Sequence, residues 1–474
     1  MKRSREGAKF CIIGAGPSGL TIAKNFKQVG ISFDWFEKEG DIGGVWNYKT
    51  PHGAVYDSTH LISSKKLTEY TDFPMPEEYP DYPAHRQVIE YLRSYVSAFC
   101  LSESLRLETT VESARPISRQ NKCVLQVEET ELSQSPLWEV RTTHKGITQT
   151  DHYQGLVIAN GHHWDCLWPE GLGDFSGEVI HSHDYKSAEQ LKGKRVLVIG
   201  AGNSGCDISV EAAQNGVKAY QSMRRGYHFL PKFILGKPAD HCGDRLMRWR
   251  MPLWLRRKIA AIFIRVTLGD PQRFGLPRPD HRLFETHPII NSQLYYYVGH
   301  GDLEVKPAIK SYQGKKVIFV DGTEAEVDLI VCATGYRIRF PFIETDLLNW
   351  KEGRPDLFLN TFHPKYKNLF VGGLTQPNSG QWGLTDLQAQ LMAGYVLAQK
   401  EDHKLADWFS KKVAGQGHDL SGGISFKDSA RHLLEVEYFS YRKLLLRYGK
   451  KFEAIREKNN KYEGLSAESV HSPV

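Results

Sequence analysis

The stretch Phe10-Cys-Ile-Ile-Gly14-Ala-Gly16-Pro17-Ser18-Gly19-Leu20 decides the reading of this chain. Four apolar residues make a short strand, and three glycines spaced G-x-G-x-x-G make a tight turn. Residues 20–29 then carry apolar side chains three and four apart, the period of a helix. A second strand over 33–36 ends at Glu37, 18 residues beyond Gly19. In such a unit the first glycine permits the turn and the second lets backbone amides approach a pyrophosphate. The third lets helix and strand pack closely, and the helix dipole favours negative charge. Pro17 and Ser18 stand inside the turn. Glu37, followed by Lys38, is placed to accept from ribose hydroxyls, which favours an unphosphorylated adenosine ribose and hence FAD or NAD.

The arrangement returns at Arg195–Ile199, with the turn Gly200-Ala-Gly202-Asn203-Ser204-Gly205, a helix over 206–214 and a strand over 219–223. No acid follows this second strand; Arg224 and Arg225 stand there instead. A 2′-phosphate requires cationic donors and is repelled by a carboxylate. Each charged hydrogen bond contributes about 1.5–3 kcal/mol, which gives a roughly ten- to hundred-fold preference for NADPH. The first unit therefore reads as an FAD site and the second as an NADPH site. The plain alternative for the arginines is a charged strand end facing solvent.

Composition agrees with a globular enzyme. The 474 residues are 41% hydrophobic and 24% charged, a balance that excludes disordered, collagen-like and disulfide-scaffold classes. The length asks for two or three domain-sized cores. A net charge of +6 is too mild over this length to argue for nucleic acid. Seven cysteines are scattered without a C-x-x-C pair, so neither a metal site nor a redox dithiol is expected, and a reducing cytosol is the natural setting. The first residues lack a signal-peptide apolar region, and no apolar run approaches the roughly 18 residues that span a bilayer. The chain thus reads as soluble and cytoplasmic.

Between the two units lies Phe175-x-Gly177-x-x-x-His181-x-x-x-Tyr185. It resembles the fingerprint F-x-G-x-x-x-H-x-x-x-(F/Y/W) of the class B flavin-dependent monooxygenases, the family that includes the flavin-containing monooxygenases. Gly43-Gly44-Val45-Trp46 is similar to that family's flavin-contacting turn. Ser64-Lys65, followed by Asp72-Phe73-Pro74, is similar to its active-site loop. Ser222-Met223-Arg224-Arg225-Gly226 resembles the NADPH-phosphate clamp, Ala333-Thr334-Gly335-Tyr336 the linker motif, and 372–377, with Gln376, the late segment that returns to the flavin. The resemblance runs from residue 10 to about 398.

That resemblance implies an α/β fold with two dinucleotide-binding, Rossmann-like domains. The FAD domain, 1–168 and 330–445, is split by an inserted NADPH domain, 169–329, and 446–474 is a polar tail. It also implies that NADPH reduces the flavin and that oxygen adds to give a C4a-hydroperoxide. This species then oxygenates a nucleophilic nitrogen or sulfur centre of a small organic substrate. Tyr185 favours this branch, which carries Phe or Tyr there, whereas Baeyer–Villiger enzymes usually carry Trp. His181 is expected to shape the domain linkage rather than to transfer protons. His60, Ile62 and Ser63 fall at the active-site loop. The chain departs from the family at Ile62, where flavin-containing monooxygenases place an asparagine three residues before the lysine. Ser63 or His60 is then left to compensate. The alternatives are a Baeyer–Villiger enzyme acting on ketones and an uncoupled NADPH oxidase releasing hydrogen peroxide; a flavin-bearing binding protein without turnover is the non-enzymatic rival.

Two further segments each carry two readings. Residues 226–300 are expected to form a helical insertion. Within it, 249–268 and the residues just before combine Arg245, Arg248, Arg250, Arg256, Arg257 and Lys258 with Trp249 and Trp254. A lid over a substrate entrance is the preferred reading, and an interfacial membrane helix is the second. Tyr295-Tyr296-Tyr297 is expected in strand packing, with a pocket wall as the second reading. Exposed aromatic residues in the insertion leave room for a homodimer.

Overall fold

The computed structural model describes residues 9–117, 135–249, 251–415 and 417–461. Two five-stranded parallel sheets organise it. Across the first sheet the strands run Leu369–Val371, Gly155–Ile158, Phe10–Ile13, Phe33–Phe36, Leu105–Arg106. Across the second they run Leu303–Lys306, Lys218–Ser222, Arg195–Ile199, Leu329–Cys332, Glu178–His181. All five strands of the second sheet lie, in chain order, between Gly155–Ile158 and Leu369–Val371 of the first.

Both sheets are covered on each face, which is why their central strands are unbroken apolar runs. In Phe10–Ile13, Phe10 and Ile12 join one core while Cys11 and Ile13 join the other. In Arg195–Ile199, Val196 and Val198 face one core and Leu197 the opposite one. The helix Pro17–Gln28 covers the first sheet, with Pro17 as its first helical residue, where a missing N–H removes no bond. Its partner is Trp382–Glu401, a helix of 20 residues that is buried almost throughout. Asp386 on that helix accepts from Thr21 Oγ1 at 2.5 Å and from Asn25 Nδ2 at 2.9 Å. Lys24 Nζ bridges Asp72 at 2.6 Å and Asp386 at 3.5 Å. This buried polar knot pins the late helix to the first glycine-rich unit.

Among the described residues the insertion holds three α-helices, Ala239–Arg248, Leu253–Leu268 and Gln293–His300. Tyr295–Tyr297 therefore lie on a helix, and the strand expectation is corrected. Asn291 Oδ1 accepts from Leu294 N–H at 2.9 Å and starts that helix. The polar-tail reading of 446–474 also fails at its beginning. Tyr438–Gly449 and Glu453–Lys458 are helical, and Phe452 between them is 0% exposed against the first core. Residues 462–474 lie outside the described residues. No described helix is long and apolar enough to cross a membrane.

Candidate active site

The first turn follows directly from its glycines. Gly14 has φ +102°, and a Cβ there would sit 2.5 Å from the Ala159 carbonyl oxygen. The helix Pro17–Gln28 starts at Gly16 without a side-chain cap, so its first N–H groups point into the turn unclaimed by side chains. Glu37 is buried and braces the same turn: one oxygen accepts from Ala15 N–H at 2.6 Å, the other from Glu39 N–H at 3.0 Å. Burial raises its carboxyl pKa, and the two backbone donors oppose that rise. Lys38 lies over the Trp164 ring at 5.2 Å. Gly43 N–H donates to Ala15 O at 2.9 Å, which seats the short helix Gly44–Trp46 beside the glycines and carries Val45 and Trp46 to a cavity wall.

The second turn is built alike. Gly200 has φ +115°, and Gly202 opens the helix Asn203–Asn215 with no side-chain cap. The Asn203 side chain, however, is engaged with the insertion: it donates to Pro288 O at 3.1 Å and accepts from Ile290 N–H at 2.8 Å. Ser204 remains on the cavity wall. Arg224 is exposed, and Arg225 lies over the Tyr227 ring at 5.3 Å. Arg431, which carries no sequence motif, approaches the same ring from the far end of the chain at 5.7 Å and flanks Gly202. Thr334 and Gly335 clasp the crossover instead of facing the cavity. The Thr334 hydroxyl donates to Leu167 O, and Leu167 N–H returns to Gly335 O at 2.9 Å.

A cavity of about 690 Å³ is walled by Val45 and Trp46, whose short helix packs on Gly16, and by Asn203 and Ser204 of the second turn. Trp46 and Trp382 meet edge to face at 5.9 Å on its wall, close in the fold to the first turn. His60, Ile62, Ser63 and Gln376 share that wall. Ile62 is 37% exposed there, whereas the Ser63 hydroxyl is paired with Thr68 Oγ1 at 2.7 Å and His60 Nδ1 with Ser58 O at 2.8 Å. The Ser63 hydroxyl is thus already engaged with its neighbour instead of standing in for an asparagine at 62. Lys65 is structural, since its ammonium donates to the carbonyls of Pro76, Glu77 and Tyr79.

The insertion closes the other side. Asp240 accepts from Ser64 N–H at 2.7 Å, and Tyr82 OH donates to Lys232 O at 2.6 Å, so the active-site loop and the insertion are tied together. Leu253–Leu268 turns Ile259, Phe263 and Ile264 to the cavity while Trp254, Ile262 and Val266 face outward. The lid reading fits the inner face, and the outer face stays apolar with Lys258 and Arg265 between. The side chains of Arg248 and Arg250 lie outside the described residues.

The fingerprint residues are packed, not catalytic in placement. A Cβ on Gly177 would lie 2.5 Å from the Phe175 ring and 2.8 Å from Asp328 O. His181 is fully buried between Tyr336, at 5.3 Å, and Trp168, at 5.5 Å, and its Nδ1 accepts from His183 N–H at 3.1 Å. Burial, with the His183 ring beside it, pushes its pKa down to about 4. His181 is thus a buried imidazole that does not line the cavity. The Tyr185 hydroxyl donates to Glu211, and its ring packs on Tyr56 at 5.4 Å.

The residues present suit an FAD. Thr375 Oγ1 and Ser379 Oγ on the cavity wall are buried without a partner among the described residues, near the Trp46–Trp382 pair, and the uncapped first helix meets this wall through the Gly16–Gly44 contact. Thr375 lies in the late segment singled out from the sequence, whereas Ser379, Trp382 and Arg431 escaped the sequence reading. Among the described residues no group of histidine, cysteine and acid side chains is arranged to hold a metal.

Residues 7–405 match the family described as FMO-like, flavin-binding monooxygenase-like. Flavin-containing monooxygenase 5 of Mus musculus is 31% identical over 454 residues, spanning 91% of this chain and 80% of its own. The probable indole-3-pyruvate monooxygenase YUCCA9 of Arabidopsis thaliana is 35% identical over 376 residues, spanning 77% and 84%. Among solved structures, ε-caprolactone-bound cyclohexanone monooxygenase superposes with a TM-score of 0.67 at 19% identity, covering 96% of this chain and 99% of its own. S-allyl-L-cysteine S-oxygenase from Allium sativum gives 0.62 at 20% identity, covering 98% and 95%. The last two likenesses carry the fold.

Proposed function

The chain belongs to the flavin-binding monooxygenase-like family, and from that premise we propose that it oxygenates a nucleophilic sulfur or nitrogen centre of a small organic molecule. Enzymes of this class use FAD and NADPH. The observation that carries the reading is one cavity walled both by the turn 43–46 beside the first glycines and by Asn203 and Ser204 of the second. When bound, FAD supplies the oxygen chemistry and NADPH the two electrons. Overall, one atom of O₂ ends on the substrate and the other leaves as water, with NADPH and a proton consumed.

The chain's own groups hold and exclude. Glu37 and the amides after Gly16 would take the adenosine ribose and pyrophosphate of FAD. Trp46, Thr375, Gln376, Ser379 and Trp382 would wall its ring. Arg224, Arg225 and Arg431 would take the 2′-phosphate of NADPH, and the inner face of Leu253–Leu268 would keep water out. Nitrogen or sulfur is preferred over ketones on Tyr185, by the resemblance drawn above. A second reading, release of hydrogen peroxide, is favoured by the exposure of Ile62 and the engagement of Ser63 with Thr68.

The test is NADPH consumption by the FAD-loaded protein in air, with sulfoxide, amine oxide, ester and peroxide quantified together. Sulfoxide or amine oxide matching NADPH supports the proposal. Ester from a ketone, without heteroatom product, would replace it with the Baeyer–Villiger reaction, and peroxide alone with the oxidase.

A further inference from the structure

We infer that Arg256 anchors a carboxylate of the substrate, so that the substrate class is an apolar organic acid; this rests on the monooxygenase reading above. The inner stripe of Leu253–Leu268 consists of Arg256, Ile259, Ala260, Phe263 and Ile264, all on the cavity wall. These positions follow the i, i+3, i+4, i+7, i+8 pattern of one helix face. Arg256 is the one charged member and stands at the end of an apolar track about 12 Å long, at 1.5 Å per residue.

Its neighbour shows how this helix treats an arginine with a structural task. Arg257 Nε donates to Leu283 O at 2.9 Å, and its terminal nitrogen pairs with Glu285 at 3.1 Å. Arg256 has no such hold. Its Nε is buried without a hydrogen-bond partner among the described residues, and no described carboxylate forms an ion pair with it. Glu437 is the opposite charge nearest in effect. That carboxylate caps the helix Tyr438–Gly449 by accepting from Ser440 N–H at 2.8 Å. Of the other acids on the cavity wall, Asp207 accepts from Tyr56 and Asn291, and one oxygen of Asp240 accepts from Ser64 N–H while the other is buried without a partner among the described residues; neither pairs with Arg256.

A guanidinium stays charged in a protein, and a partly buried charge without a partner is costly. The missing complement is an anion on the ligand. A carboxylate matches the planar fork of an arginine with two parallel hydrogen bonds, and the apolar stripe beyond Arg256 covers an alkyl or aryl body.

Methylthio-hexanoic acid and its methyl ester separate the charge from the body. Binding to the full-length, FAD-loaded protein is measured by calorimetry, and sulfoxide formation by product analysis, in wild type, Arg256→Gln and Arg256→Lys. The acid is expected to bind and to turn over about ten- to hundred-fold better than the ester in wild type. Arg256→Gln brings that ratio close to one, and Arg256→Lys restores part of it. A wild-type ratio near one, or an unchanged ratio in Arg256→Gln, overturns the assignment. So does a raised KM for NADPH in Arg256→Gln with the acid-to-ester ratio intact, which would place the arginine on the cofactor. Binding of the acid that depends on Arg256, without any sulfoxide, would sink the oxygenation reading and leave the anchor standing.

Discussion

The guanidinium of Arg431 lies 5.7 Å from the centre of the Tyr227 ring, and that of Arg225 lies 5.3 Å from the same ring. Two cations from distant parts of the chain thus share one aromatic platform beside the second glycine-rich turn. Attraction to the ring, worth about 0.5–2 kcal/mol each, offsets part of their mutual repulsion. Burial, and after it the charges of Arg431 and Arg225, push the pKa of the neighbouring His432 down to about 3. A phosphate would offset those charges. Arg431→Ala and Arg224→Ala are each expected to raise KM for NADPH about ten-fold, with little change for NADH. Steady-state kinetics with both nucleotides checks this, and equal losses for both would show that these arginines do not read the 2′-phosphate.

Ile62 offers a test of coupling. Its apolar side chain is 37% exposed on the wall that carries Trp46 and Ser63. Ile62→Asn replaces that apolar side chain with a smaller, hydrogen-bonding amide. Hydrogen peroxide released per NADPH is expected to fall severalfold in the variant, read by peroxide assay with a sulfide present. An unchanged or higher yield would mean that leakage, if present, arises elsewhere.

Strands buried on both faces were the most legible elements. Phe10–Ile13 and Arg195–Ile199 are found at the limits their apolar runs suggest, because a parallel sheet covered on two sides leaves no polar alternation to blur them. Tyr295–Tyr297 misled for the opposite reason. Three tyrosines in a row have strand propensity but no period, and the deciding signal was Asn291, two residues before the helix. The burial of Tyr448 and Phe452 was hidden because lysines and arginines outnumber them locally. Arg256 and Arg431 were illegible as site residues. Each is one arginine among many, and only tertiary placement leaves the first without a partner and sets the second beside Gly202.

The outer face of Leu253–Leu268 leads to a third prediction. Trp254, Ile262 and Val266 are 59%, 62% and 77% exposed, Lys258 lies over Trp254, and the helix contains no acidic residue. Apolar side chains that insert beside lysine and arginine heads are what an anionic lipid surface holds. Vesicles of phosphatidylcholine with phosphatidylserine are expected to sediment the protein, and the double variant Trp254→Glu with Val266→Glu to abolish this. Equal sedimentation of both proteins would leave the face as an exposed lid surface only.

Buried histidines set the acid limit of stability. Burial, followed by the charge of His183, holds His181 down to about 4, and His363 is held to about 4 by burial and Lys365. Each is neutral in the folded protein where the unfolded chain, with an ordinary value of about 6.5, begins to bind a proton. The depressed folded pKa therefore adds nothing above about pH 6.5 and removes stability as pH falls from there towards 4. For His181 alone the loss between pH 7 and pH 5 is about 2 kcal/mol. His181→Phe removes this titration while keeping an aromatic ring against Tyr336. Urea unfolding at the two pH values is expected to show a fall in stability smaller by about that amount in the variant. Because His181 stays neutral from pH 6 to 8 and lies off the cavity wall, the pH profile of kcat should keep its wild-type inflections. A shifted inflection in the variant, rather than a shallower stability curve, would return His181 to the chemistry.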